Sequence, residues 1–302
     1  MALAKRIFLF LAVNFLVITM ITLILTIFNV KPYLTAYGIN YQSLMIFCLI
    51  WGMGGAFISL ALSKTMAKWM MGVRIIDENT TNPQLRNLVE TVHELARSAH
   101  MTHLPEVGIY QADEPNAFAT GPSQKRSLVA VSSGLLNRMS QGELEGVLAH
   151  EITHIVNGDM VTMALIQGVV NAFVMFLARA LAFVFSGIGK EKNNSSSSFI
   201  SYSLLVFLFQ FVFMILGSIV VAWFSRLREF RADLGGAHIA GKEKMIATLE
   251  ALRRMQKVET AAPANQSFEM LKISTGKKGG WMSLFASHPP LEDRIEKLKQ
   301  SI

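Results

Sequence analysis

The sequence predicts a mostly α-helical membrane protein with about four transmembrane helices and a soluble α+β domain built from two separated stretches of chain. Three observations predict it. Of 302 residues, 52% are hydrophobic and only 16% charged, with mean hydropathy +0.39, which falls outside the range of water-soluble domains. Four apolar runs, at about 7–30, 43–62, 160–185 and 199–224, each come near or exceed the ~20 residues that cross a bilayer as a helix. The remaining stretches, about 67–159 and 225–302, are soluble in character and together long enough for one core. The chain thus reads as a transmembrane hairpin (1–66), a first soluble part (67–159), a second hairpin (160–224) and a second soluble part (225–302).

The first run is too long for a signal-peptide core and lacks a small-residue cleavage site, so it reads as an anchor. The second contains Cys48, the only cysteine. An intramolecular disulfide is therefore excluded, and a thiolate nucleophile has no place in lipid. Most of the 17 methionines read as membrane and core filler. Basic residues orient the chain. Lys5 and Arg6 precede the first run, Lys64, Lys68 and Arg74 follow the second, and Arg226, Arg228 and Arg231 follow the fourth. The two short intervening loops carry only Lys31 and the trio Lys190, Glu191 and Lys192. By the positive-inside rule both termini and the central stretch are cytoplasmic. The net charge of +7 suits a face near anionic lipid. Its basic residues flank apolar runs and form no separate domain, so nucleic acid is not a partner.

In the first soluble part, residues 82–99 read as an amphipathic helix through Leu85, Leu88, Val89, Val92 and Leu95. Residues 107–112 and 127–132 read as short strands, the second followed by a turn at Gly134, and 116–120 lie between them as another extended segment. Gln167, Asn171, Arg179 and Gln210 interrupt the third and fourth runs. Such groups face a bundle interior or a wet chamber, or the runs are only partly embedded. Residues 193–198 form a polar turn. Beyond the fourth run, 236–256 read as a helix with Met245, Leu249 and Leu252 on one side, and 258–280 as a loop. Ser287-His288-Pro289-Pro290 then opens a final helix containing Arg294.

The chemistry concentrates in His150-Glu151-Ile152-Thr153-His154. Ser140 and Glu143 form a capping box, and Leu144, Val147, Leu148 and Ile155 continue an apolar stripe, so the motif sits in a helix. Two imidazoles one turn apart converge on one cation. Neutral imidazole suits zinc, and Glu151 can take a proton from a water the metal polarises. That is the minimal apparatus for hydrolysing a peptide bond. A third ligand is needed. The positions where one protease class has Gly and a third His are here Asn157 and Met160, which leaves a carboxylate from another helix. Glu229 is the best candidate, although taken alone it reads more readily as a surface salt-bridge partner for the arginines around it. Two membrane crossings separate it from His154 and return it to the same side, which favours the ligand role. Asp233, one turn on, suits a hydrogen bond to a ligand imidazole.

The surroundings leave more open. Asn116 and its neighbours can offer a strand edge to a peptide substrate, or form a plain loop. His288 is either a helix-entry residue or a donor to the reacting oxyanion, with Arg294 a further candidate for contact with ligands or substrate. His93, His100, His103 and His238 lack ligand-like spacing.

The ordered set 149–154 (AHEITH), 157–160 (NGDM), 116–121 (NAFATG), 229–233 (EFRAD) and 288–291 (HPPL) resembles the HtpX family of bacterial membrane zinc metalloproteases, relatives of the CAAX prenyl endoproteases. The similarity covers nearly the whole chain. The family often has His where Arg231 stands. The resemblance implies a gluzincin-type catalytic domain in a multi-pass protein of the bacterial inner membrane. One zinc per chain would be held by His150, His154 and Glu229, with Glu151 as general base. It also implies action on misfolded or damaged membrane proteins under stress, and self-cleavage once zinc is bound. Two other readings compete. One is a dedicated processing protease with a single membrane substrate. The other is a zinc-binding scaffold without catalysis, which would have no need of Glu151.

Overall fold

The computed structural model describes residues 33–35, 38–186, 195–261 and 281–301, with Leu23 and Ile27. The first apolar run, the basic residues Lys5, Arg6, Lys31, Lys190 and Lys192, and residues 262–280 of the expected loop lie outside them. Two compact units emerge: Met1–Ser59 with Ala164–Val221, and Leu60–Met163 with Ala222–Ile302.

The first unit holds three long helices and a short hairpin. The helices are α1 (Tyr41–Met70), α5 (Asp159–Ser186) and α6 (Ser195–Ala240), whose ends run on into the second unit. Each contains an apolar stretch long enough to cross a membrane. The hairpin pairs β1 (Leu34–Thr35) with β2 (Gly38–Ile39). A Cβ on Gly52 would lie 2.6 Å from the backbone nitrogen of Ala172 and 2.7 Å from the Gly168 carbonyl. Backbone therefore meets backbone where α1 crosses α5, as small residues allow between membrane helices. Phe173, Phe207 and Phe211 stay exposed, as a lipid-facing surface requires. Gln167 and Asn171 bond to each other along α5, and Arg179 reaches Gln210 across to α6. The polar turn expected at 193–198 contains the start of α6 at Ser195, because extending a formed helix costs far less than nucleating one.

The second unit is built on a four-stranded sheet in the order β3 (Arg74–Ile75), β4 (Glu106–Tyr110), β6 (Leu128–Ser132), β5 (Ala117–Thr120). β4 and β6 are parallel; the outer pairs are antiparallel. All of β6 is buried, which accounts for its unbroken apolar run. β5 is an edge. Helices α2 (Pro83–Ser98), α4 (Gln141–Val156) and α7 (Lys242–Ala261) contribute to a core in which Leu88, Val92, Val129, Leu148, Ile152 and Ile155 are at most 1% exposed. Each such side chain contributes roughly 1.5–3 kcal/mol of burial.

Gly134 lies not in a turn but in the first turn of α3 (Ser133–Arg138). A Cβ there would sit 2.2 Å from the Asp113 carbonyl oxygen, so close backbone approach explains the glycine. The helix expected at 236–256 is broken at Gly241, whose φ of 101° is left-handed backbone that ends α6 before α7 begins. α4 starts where the capping box places it: the Ser140 N–H donates to Glu143 over 2.9 Å. It ends at Asn157 and Gly158, the latter with φ 65°, and the chain turns directly into α5 at Asp159.

Candidate active site

His150, Glu151 and His154 come from α4, Glu229 and Asp233 from α6, and Asp159 from the first turn of α5. His288 precedes α8 (Leu291–Gln300), which carries Arg294. Two glycines of α6 let these elements meet. A Cβ on Gly235 would lie 2.3 Å from Thr153 Cγ2, and one on Gly236 would lie 3.2 Å from the His150 nitrogen. Larger residues there would hold Glu229 and Asp233 away from the imidazoles.

The imidazoles meet edge-on, with their Nε2 atoms 3.1 Å apart. Glu229 Oε2 lies 3.5 Å from His150 Nε2, and Oε1 lies 3.4 Å from His154 Nε2. The far ring nitrogens have their own partners. His150 Nδ1 is 3.0 Å from Asp233 and His154 Nδ1 is 2.6 Å from Asp159. A carboxylate at Nδ1 claims the ring proton there. Both Nε2 atoms are then left as lone pairs aimed at one point. Arg294 grips Asp233 through two hydrogen bonds, 2.8 and 2.6 Å, a forked geometry that fixes the carboxylate.

This donor set fits a metal cation. Two nitrogen lone pairs facing each other at 3.1 Å repel unless a cation lies between them. Ligands held tetrahedrally at ~2.0–2.1 Å stand roughly 3.3 Å apart, close to the three spacings here. Glu229 is 1% exposed, and among the described residues its Oε1 closes no hydrogen bond of normal geometry, with His154 Nε2 at 3.4 Å and Arg228 Nη2 at 3.7 Å. An anionic oxygen buried without such a bond is costly, and a metal ion would satisfy it. His150, His154 and Glu229 are the one such group of donors among the described residues.

Electrostatics keep the carboxylates ionised. Burial pulls Glu229 upward, yet hydrogen bonds from His150, His154 and His288 hold it far below the usual range. Burial likewise opposes ionisation of Asp233, and Arg294 and His150 overcome it. Burial works against protonating His154, but Asp159 and Glu229 push it up to about 9. His150 is raised against burial by Asp233 and Glu229. A metal ion at this point competes with protons, so its binding releases them.

Glu151 points from α4 towards the sheet edge, where the Ala119 N–H of β5 donates to it over 2.8 Å. A cleft of ≈ 210 Å³ opens beside it, lined among others by Asn116, Ala117, Leu135, Val147 and Leu252. Asn116 stands at its rim just before β5. His288 sits at the entry to α8, two residues before its N-cap Pro290, and contacts Glu229 Oε2 at 2.8 Å. Away from the site, His93 contacts the Pro105 carbonyl and His238 that of Leu234.

Several residues of the site escaped the sequence reading. For Asp159, its position five residues after His154, across a glycine turn, was the available signal. Gly235 and Gly236 inside an apolar helix were another. Arg226, which donates to the carbonyls of Leu284 and Ala286 at 3.0 and 2.8 Å and holds the segment leading to His288, had none. Asp159→Asn is expected to weaken metal binding about 10–100-fold, measured by competition with a chromophoric chelator. An unchanged affinity would show that the His154–Asp159 contact does not tune the site.

The model of peptidase family M48 matches residues 82–302, and that of the RDD family matches residues 2–100. The chain is 48% identical to a protease HtpX homolog of Methylacidiphilum infernorum, over 98% of both chains. It is 49% identical to one of Bacillus subtilis, over 98% of this chain and 99% of that one. Its fold is similar to the crystal structure of S. mikatae Ste24p, with TM-score 0.66 at 15% identity, covering 98% of this chain and 65% of that one. The chain belongs to peptidase family M48, among the HtpX proteases, and is a multi-pass membrane metallopeptidase.

Proposed function

We propose that the protein is a zinc-dependent endopeptidase of the bacterial inner membrane that cleaves misfolded or damaged membrane proteins. Its metal would be held by His150, His154 and Glu229. The observation that carries this reading is the convergence of the two imidazole Nε2 atoms and a buried Glu229 oxygen on one point, with Glu151 alongside. Two nitrogens and one oxygen with room for a water are the donor set of catalytic zinc, of the gluzincin type. The first apolar run, as a fourth span, and the basic residues beside the runs support a cytoplasmic active site with both termini on that side.

When bound, zinc would acidify a water and polarise the scissile carbonyl. Glu151 accepts the water's proton and hands it to the departing amine. The Ala119 N–H holds that carboxylate at the strand edge, where a substrate segment can pair with β5. Asn116 borders the same cleft. His288 also lines it and can donate to the developing oxyanion. Asp233, clamped by Arg294, and Asp159 fix the two ring orientations.

The test is cleavage of an unfolded protein such as casein by the purified full-length chain in detergent. Cleavage should stop with chelator and return with zinc. Activity confined to one membrane substrate would favour a dedicated processing protease. Stoichiometric zinc without cleavage of any unfolded chain would point to a scaffold.

A further inference from the structure

One polar cluster plays no part in this chemistry. It lies in the first unit, around Phe47 of α1. The Phe47 ring packs against Tyr33 at 5.2 Å and Trp51 at 6.0 Å. Arg179 of α5 stacks on the same ring, its guanidinium carbon 5.6 Å from the centroid. Tyr202 of α6, 4% exposed, lies beside Tyr33.

The cluster is short of acceptors. Arg179 Nη1 bonds to the Met175 carbonyl at 3.2 Å and to Gln210 at 3.4 Å. Among the described residues its Nε has no partner, nor does Trp51 Nε1, and Tyr202 Oη meets no acceptor other than Tyr33. All three atoms are buried, and all three carry a hydrogen to donate. Arg179 is also the only charged residue of this unit among those described, so no carboxylate there compensates it. Such a cation in an apolar bundle is costly unless an anion or water reaches it.

Its depth indicates which anion. Arg179 lies seven residues before the end of α5 at Ser186, about 10 Å along the axis. Phe47 lies six residues after the start of α1 at Tyr41, and Tyr202 seven after the start of α6 at Ser195. The cluster therefore occupies one end of the three-helix unit, about two turns in. It also holds the tyrosines and tryptophan that favour the headgroup level of a bilayer. We propose that Arg179, with Trp51 and Tyr202, binds the headgroup phosphate of an anionic phospholipid there. A phosphate supplies several acceptor oxygens to a planar guanidinium, the geometry in which Arg is strongest.

Native mass spectrometry of the full-length protein, delipidated in detergent, tests this. Phosphatidylglycerol, phosphatidylcholine and inorganic phosphate are titrated separately, and melting is followed in parallel. Phosphatidylglycerol should bind in preference to phosphatidylcholine and raise the melting temperature. Arg179→Gln should weaken its binding about tenfold or more and remove the rise, with Arg179→Lys in between. Displacement of the lipid by millimolar inorganic phosphate would overturn the lipid assignment. If Arg179→Gln melts lower without lipid yet keeps the full lipid-induced rise, the guanidinium is purely structural and the proposal fails.

Discussion

Glu151→Gln is expected to reduce peptide-bond hydrolysis by about 10²–10⁴-fold or more while leaving metal content unchanged. Glutamine has the same shape, and its carbonyl oxygen can still accept the Ala119 N–H that Glu151 accepts at 2.8 Å. The strand edge and helix α4 therefore keep their places. None of the three clustered donors is Glu151. What glutamine cannot do is take a proton from water. The result is read from metal analysis and cleavage of one unfolded substrate by both proteins, purified side by side. Activity within tenfold of wild type in the variant would remove Glu151 from the role of base.

His154→Ala should lose both metal and activity. The variant lacks one of three donors, and it strands two carboxylates that the ring now engages: Asp159, at 2.6 Å from Nδ1, and Glu229, at 3.4 Å from Nε2. Truncation leaves Asp159 without its ring partner and Glu229 Oε1 with only Arg228, at 3.7 Å, on that side. Breaking a buried pair in this way costs about 3–5 kcal/mol. The expected signature is a near-absence of bound zinc after dialysis, together with a lower melting temperature than the Glu151→Gln protein. Wild-type zinc content in His154→Ala would move the metal elsewhere. The two variants form a pair: one separates chemistry from metal binding, the other removes both.

Much of the site was legible before any coordinates, for local reasons. His150 and His154 share a face because four residues make about one helical turn, and the capping box at Ser140 and Glu143 told where that turn began. Glu229 was reachable only by counting membrane crossings, since a single Glu among arginines has no periodic signature. Asp159 was not visible as a partner of His154, because the φ of 65° at Gly158 that turns it back has no unique mark in the sequence. Gly134 misled for the same reason: a glycine that makes a turn and one that makes room for a neighbouring carbonyl look alike in sequence.

By itself the sequence determined the apolar runs, the metal-binding helix and the chemistry its side chains can perform, because these depend on composition and on spacings within one element. Only the tertiary structure decided which carboxylate meets which ring nitrogen, that Gly235 and Gly236 bring α6 against α4, that β5 lies at a sheet edge facing Glu151, and that His288 rests on Glu229. Apart from His154 and Asp159, five positions apart, those contacts join residues between about 30 and 90 positions apart. Their existence depends on how whole elements pack, and helix and strand periodicity carries no information about that distance.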